Sequence, residues 1–165
     1  MDDKEIKLIE KYITPETIML EWGAGGSTTR LGKLVKQYFS IESDKEWLDK
    51  VSLDIGKNTE IFYRPAPNKE DVRYSSYDNY QHYVDTGGHI AAACNIKFDI
   101  VLIDGRARVA CAKYIIPYLS DNAVVFVHDF WKPTRERYKP ILDYYNEIES
   151  VKSTHQTIVA LRAKQ

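Results

Sequence analysis

An apolar segment from Thr17 to Trp22 runs into three closely spaced glycines, Gly23, Gly25 and Gly26, and then into the helix-start residues Ser27 and Thr28. A strand that turns through glycines into a helix restricts the fold strongly. Glycine reaches the dihedrals of such a turn without steric cost, and the turn aims bare N–H groups at the positive end of a helix. This is how a nucleotide-like ligand is gripped at the edge of an open sheet. The chemistry of the chain is therefore expected around Gly23 to Thr28.

The rest of the chain alternates strand and helix signals. Apolar spacing over Lys4 to Tyr12 predicts a short leading helix, followed by a strand over Thr17 to Trp22. Ser27 or Thr28 is expected to cap the next helix, and Tyr38 to Glu42 reads as a second strand. Asp44 caps a helix carrying Trp47, Leu48 and Val51, and Ile61 to Tyr63 makes a third strand closed by Pro65 and Pro67. Lys97 to Asp104 reads as a fourth strand, Ala107 to Leu119 as a helix and Ala123 to His128 as a fifth strand. Ile148 to Leu161 supplies a final antiparallel pair. Such alternation predicts an α/β fold, a Rossmann-like, doubly wound and mostly parallel sheet with an antiparallel carboxy-terminal strand pair.

With 165 residues the chain is expected to form a single domain, residues 1–165. Its 23 basic and 24 acidic residues are interspersed, so no broad positive field favours nucleic acid as a partner. There is no long apolar run for a membrane span, and the polar start Met1-Asp2-Asp3-Lys4-Glu5 does not resemble a secretion signal. Cys94 and Cys111 lie among alanines and are expected to be small buried side chains rather than zinc ligands. Together these features predict a cytoplasmic protein.

What the glycine loop lacks narrows its ligand. A dinucleotide fingerprint would place a third glycine where Thr28 stands, and no Gly-Lys-Ser/Thr follows for a phosphate loop. Glu21, just before the first glycine, would repel a pyrophosphate but suit the ammonium of an amino-acid-bearing cofactor. S-adenosylmethionine is such a cofactor. The strand ends supply the other candidates, Glu42, Pro65, Asp104 and Asp129. Glu42 is placed to accept the ribose hydroxyls, with Ser43 and Trp47 flanking the adenine.

Between Asn68 and Gly88, Tyr74, Tyr77, Tyr80 and Tyr83 recur every three residues. One reading is an amphipathic helix covering the sheet with tyrosine rings. The other is a substrate lid, in which Tyr80 and Tyr83 meet the acceptor and Gly87-Gly88 allows movement.

At this point the residues resemble a known family, the class I S-adenosylmethionine-dependent methyltransferases. The likeness rests on Glu21-Trp22-Gly23-Ala24-Gly25-Gly26-Ser27, on Glu42, and on Phe98-Asp99-Ile100-Val101-Leu102-Ile103-Asp104-Gly105, and it spans roughly Ile18 to Phe130. It implies the class I methyltransferase fold and a cofactor site at Glu21, Trp22, Gly23, Gly25, Ser27, Thr28, Glu42, Ser43 and Asp104. Asp104-Gly105-Arg106-Ala107-Arg108 with Val127-His128-Asp129 is similar to small O-methyltransferases of sugars and other hydroxylated metabolites. It also resembles methyltransferase domains attached to glycan-building enzymes of large algal viruses. The Asn/Asp-Pro-Pro-Tyr motif of nucleic-acid amino methylation is replaced by Asp104-Gly105-Arg106-Ala107. Metal-dependent relatives imply magnesium or manganese at Asp104 and Asp129, but Phe130 stands where they carry an Asn, and Ala107 where they carry a Lys.

Methyl transfer to a hydroxyl needs alignment of the reacting atoms and a group to take the proton. Asp104, His128 and Asp129 are the catalytic candidates, and Arg106 and Arg108 are contacts for a cofactor carboxylate or an acidic acceptor. The expected activity is O-methylation of a sugar or glycan hydroxyl, with a small-molecule or glycan acceptor. The competing readings are a non-catalytic binding subunit and, weakened by Thr28 and Glu21, a nicotinamide oxidoreductase.

Overall fold

The computed structural model describes residues 1–65, 77–130, 136–153 and 156–164. Its elements are, in chain order, α1 (Asp3–Glu10), β1 (Ile18–Trp22), α2 (Gly26–Leu31), β2 (Gln37–Glu42), α3 (Lys45–Val51), β3 (Thr59–Tyr63), α4 (Tyr77–Cys94), β4 (Phe98–Ile103), α5 (Arg108–Tyr114), β5 (Leu119–Val127), β6 (Tyr145–Lys152) and β7 (Thr157–Ala163). Pro67 and Tyr74 lie outside the described residues.

The seven strands form one sheet in the order β3-β2-β1-β4-β5-β7-β6. The first five in sequence pair in parallel, and β7 runs antiparallel to both β5 and β6. The strand order reverses between β1 and β4, so their connections leave on opposite faces and open a crevice beyond their carboxyl ends. Strand alternation divides the core accordingly. Leu20, Trp22, Val101 and Ile103 pack on the face shared with α4 and α5. Met19, Ile100, Leu102 and Phe126 meet Ile6, Leu8 and Ile9 of α1 on the other. Among the described residues no helix is long and apolar enough to cross a membrane.

Several local expectations are corrected. Gly25, with an extended backbone, is the N-cap of α2, while Ser27 and Thr28 sit in its first turn. The helix expected to reach Leu119 stops at Tyr114, continues as a 3₁₀ turn over Ile116–Tyr118, and gives way to β5 at Leu119. Pro117, lacking an N–H, accounts for the stop. Cys94 is exposed at the end of α4, and only Cys111 is buried. Alanine neighbours say little about which side of a helix a cysteine faces.

The glycine pair is not a hinge. Gly87 and Gly88 are buried in the middle of α4. A methyl group on Gly87 would lie 2.6 Å from Cζ2 of Trp22, and one on Gly88 would lie 2.7 Å from Cε2 of Tyr118. Each glycine costs a helix interior about 1 kcal/mol against alanine. Here that cost is offset by close seating of α4 on the sheet. Tyr80 and Tyr83 point into the same core, their rings edge to face at 5.7 Å.

Candidate active site

A cavity of about 550 Å³ opens beyond the carboxyl ends of β1, β2 and β4. Gly23, Gly25, Gly26 and Ser27 line one wall, Glu42, Ser43, Asp44 and Trp47 a second, and Asp104, Gly105 and Arg106 a third. Met1 and, from α1, Asp3 and Ile6 close it, a contribution that strand-end reasoning did not supply.

Gly23 has φ of +99°, a conformation open to glycine but strained for other residues. Its N–H donates to the Ile41 carbonyl at 2.9 Å, and its Cα presses so close to the loop after β4 that an added Cβ would lie 2.7 Å from the Gly105 nitrogen. Two strand-end loops are thereby welded together at the switch point. The Gly25 N–H donates to the Thr28 hydroxyl at 2.8 Å, closing the start of α2.

Glu21 lies beneath this loop, not in the cavity. Its fully buried carboxylate accepts hydrogen bonds from the hydroxyls of Ser27, Thr28 and Ser40. Burial pushes its carboxyl up to about 7, against the pull of Ser27 and Thr28 and with a further push from the Asp104 charge. Glu21 therefore ties the glycine loop to β2, and the expected direct contact with an ammonium group gives way to a supporting one. Trp22 and Thr28 are likewise fully buried, and the Trp22 indole donates to the Tyr83 carbonyl at 2.9 Å.

Glu42 does reach the cavity. Its Oε1 accepts the backbone N–H groups of Ser43 at 2.6 Å and Asp44 at 2.7 Å. Burial raises its pKa in spite of these donors. The Trp47 indole donates to the Ala24 carbonyl, laying its ring along the glycine loop, and Asp44 caps α3 as expected.

The third wall carries the ionisable cluster. Asp104 Oδ1 lies 2.7 Å from Nδ1 of His128, whose Nε2 is 3.4 Å from Oε2 of Glu5 on α1. Burial alone would lower the proton affinity of His128. The Asp104 hydrogen bond and the charges of Asp104, Asp129 and Glu5 outweigh it, so its pKa is raised. Ala107 and Asp129 both take left-handed backbone conformations, at φ of 48° and 58°. Such strain gathers where surrounding structure fixes a functional geometry.

Arg108 and Arg106 part company. Arg108 donates to the carbonyls of Gly105, Asp104 and His128 and lies 3.2 Å from Asp129 Oδ2 and 3.5 Å from Asp104 Oδ1. It is a clamp between the ends of β4 and β5. Arg106 is exposed at the cavity rim, where a ligand can reach it. Tyr80 and Tyr83 do not line the cavity: both are buried, and the Tyr83 hydroxyl faces the Arg106 N–H at 3.4 Å.

Candidate ligand atoms of Asp104, His128 and Asp129 lie within 4.8 Å of one another. They do not fit a divalent cation as they stand. The Arg108 guanidinium already bridges the two carboxylates, and His128 Nδ1 is engaged by Asp104. A cation would have to displace a partly buried positive charge with several hydrogen bonds, an expensive exchange. Any activity of this site is accordingly expected to be unchanged by excess EDTA followed by gel filtration. A loss restored by magnesium or manganese would put a metal back at Asp104 and Asp129.

No protein-family model matches the sequence, and comparison with curated proteins gives no significant match. Solved structures do match over nearly the whole chain. A methyltransferase-like protein from Silicibacter pomeroyi aligns with a TM-score of 0.70 at 19% identity, covering 99% of this chain and 88% of its own. An rRNA methylase from Streptococcus thermophilus aligns at 0.67 and 12%, covering 98% and 95%. The N-methyltransferase NodS from Bradyrhizobium japonicum, in complex with S-adenosyl-L-homocysteine, aligns at 0.59 and 12%, covering 98% and 84%. The chain therefore has the Rossmann-like fold that these proteins share, a mostly parallel sheet ending in antiparallel strands.

Proposed function

We propose that this chain is an S-adenosylmethionine-dependent methyltransferase that modifies a hydroxyl group, most simply one on a sugar or glycan. The observation that carries the reading is the opening of Glu42 and of Asp104, the latter backed by buried His128, onto one cavity from opposite sides of the switch point. The cavity suits a nucleoside-bearing cofactor: a buried acid for a ribose, an indole along the wall, and a glycine loop where Gly26 leaves open space. Glu42, Ser43, Trp47 and the loop Gly23–Ser27 would hold it.

The bound cofactor supplies an electrophilic methyl group on a sulfonium. The chain itself has to orient the acceptor and remove its proton. Asp104 faces the cavity with its second oxygen left for an acceptor O–H, while its first is fixed by His128. It takes the proton on that free oxygen while His128 holds the other in place. A neutral hydroxyl suits this acid-lined wall better than an anionic nucleophile. Nothing at Asp104-Gly105-Arg106-Ala107 supplies the aromatic motif of nucleic-acid amino methylation.

Calorimetric titration with S-adenosylhomocysteine tests the reading. Saturable binding is expected, weakened about 30-fold, or ~2 kcal/mol, in a Glu42→Ala variant that loses the charged acceptor. A chain that releases no heat with this compound, and transfers no methyl to any hydroxylated acceptor tried, would sink it.

A further inference from the structure

Glu5 is a buried carboxylate in a place where burial is not needed for its local task. It is the third residue of α1 and completes a capping box: the Asp2 side chain accepts the Glu5 N–H, and Glu5 Oε2 accepts the Asp2 N–H at 2.8 Å. An exposed glutamate would cap the helix equally well. Here the residue is fully buried, and its Oε1 has no hydrogen-bond partner. Leaving a buried carboxylate oxygen unmatched is costly. What the burial achieves is contact with the far side of His128.

We infer that Glu5 is a positioning residue of the active site, fixing through His128 which ring nitrogen meets Asp104. This rests on the proposed function for its consequence in the reaction, but the contact is testable without it. The two imidazole nitrogens are inequivalent, and a hydrogen bond at one decides what the other presents. Both neighbours are carboxylates, so Nε2–H donates to Glu5 and Nδ1–H to Asp104, and the ring cannot turn over without losing both partners. Among the described residues, the other charged groups beside the ring are Asp129, with Oδ1 3.7 Å from Nδ1, and Arg108 of α5, which donates to the His128 carbonyl. Helix α1 thus closes the cavity and also sets the geometry of the base.

Nitrogen-15 NMR of the full chain tests this, with the His128 signals assigned by their loss in a His128→Gln variant. The wild-type protein is expected to show an exchange-protected Nε2–H. In Glu5→Gln the cap survives, because Gln also serves at this position of the box, but the charge is gone. Exchange of that proton is expected to accelerate at least tenfold. The methyl-transfer kcat is expected to fall about tenfold at unchanged KM for the cofactor, a split that loss of helix stability alone would not produce. Glu5→Leu, folded by circular dichroism, should lose the protected signal altogether. An identical His128 spectrum in Glu5→Gln, or an unchanged kcat, overturns the inference even if the enzyme transfers methyl groups. A protected signal that responds to Glu5→Gln in a chain without transfer activity keeps the contact and overturns the reading of the reaction instead.

Discussion

An Asp104→Asn variant is expected to transfer methyl groups about 10³-fold more slowly than the wild-type chain, a loss of ~4 kcal/mol in transition-state stabilisation. The amide preserves the shape of the side chain and can still accept from His128 Nδ1, but it cannot take a proton from a hydroxyl. Glu42, Trp47 and the glycine loop are untouched by the change. Affinity for S-adenosylhomocysteine should therefore move by less than tenfold. Single-turnover transfer to an acceptor found by screening, set beside calorimetry, separates the two quantities. A variant that turns over at the wild-type rate would remove Asp104 from the chemistry and leave the cavity without a base.

The second large effect concerns stability. Gly23→Ala places a Cβ 2.7 Å from the Gly105 nitrogen and 2.8 Å from its Cα, at a residue whose φ is +99°. Backbone cannot yield as a flexible side chain can. Left-handed strain and overpacking together are expected to cost about 3 kcal/mol. For a chain of this size that is a fall in melting temperature of roughly 10 °C. Gly26→Ala is the internal control. No atom lies within 4 Å of its added Cβ, and the residue opens α2, so its melting temperature should stay within about 2 °C of wild type. Equal losses in the two variants would mean that the weld between the loops after β1 and β4 is not what holds this corner.

The sheet was legible because its strands are short apolar runs whose ends carry acids. Ile100 to Ile103 and Ala123 to Val127 are apolar throughout, as strands covered on both faces must be, and the helical spacing between them forces parallel crossovers. The same logic singled out Glu42 and Asp104 as strand-end carboxylates, and both line the cavity. It could not show that Glu21 turns under its loop, because a burial direction at the strand end depends on Ser27, Thr28 and Ser40 arriving around it. Gly87-Gly88 misled for a different reason. Glycine signals either freedom or closeness, and only Trp22 and Tyr118 across the gap decide which. Glu5 was hidden by its own local role, as the sequence pattern Asp2 to Glu5 is fully explained by a helix cap. Arg108 and Arg106 are two residues apart and chemically identical, yet one is locked into the strand ends and the other is exposed on the rim.

The pairing of Glu5 with His128 spans 123 positions along the chain. Contacts that distant demand the largest loss of chain entropy and tend to form after local structure has settled. During synthesis α1 is made before the fifth strand, and until that strand arrives the Glu5 carboxylate holds only the cap of its own helix. A folding intermediate of this protein can thus own a helix, a glycine loop and several paired strands while His128 is still held from one side only, and the second hold should arrive in one late step as α1 docks.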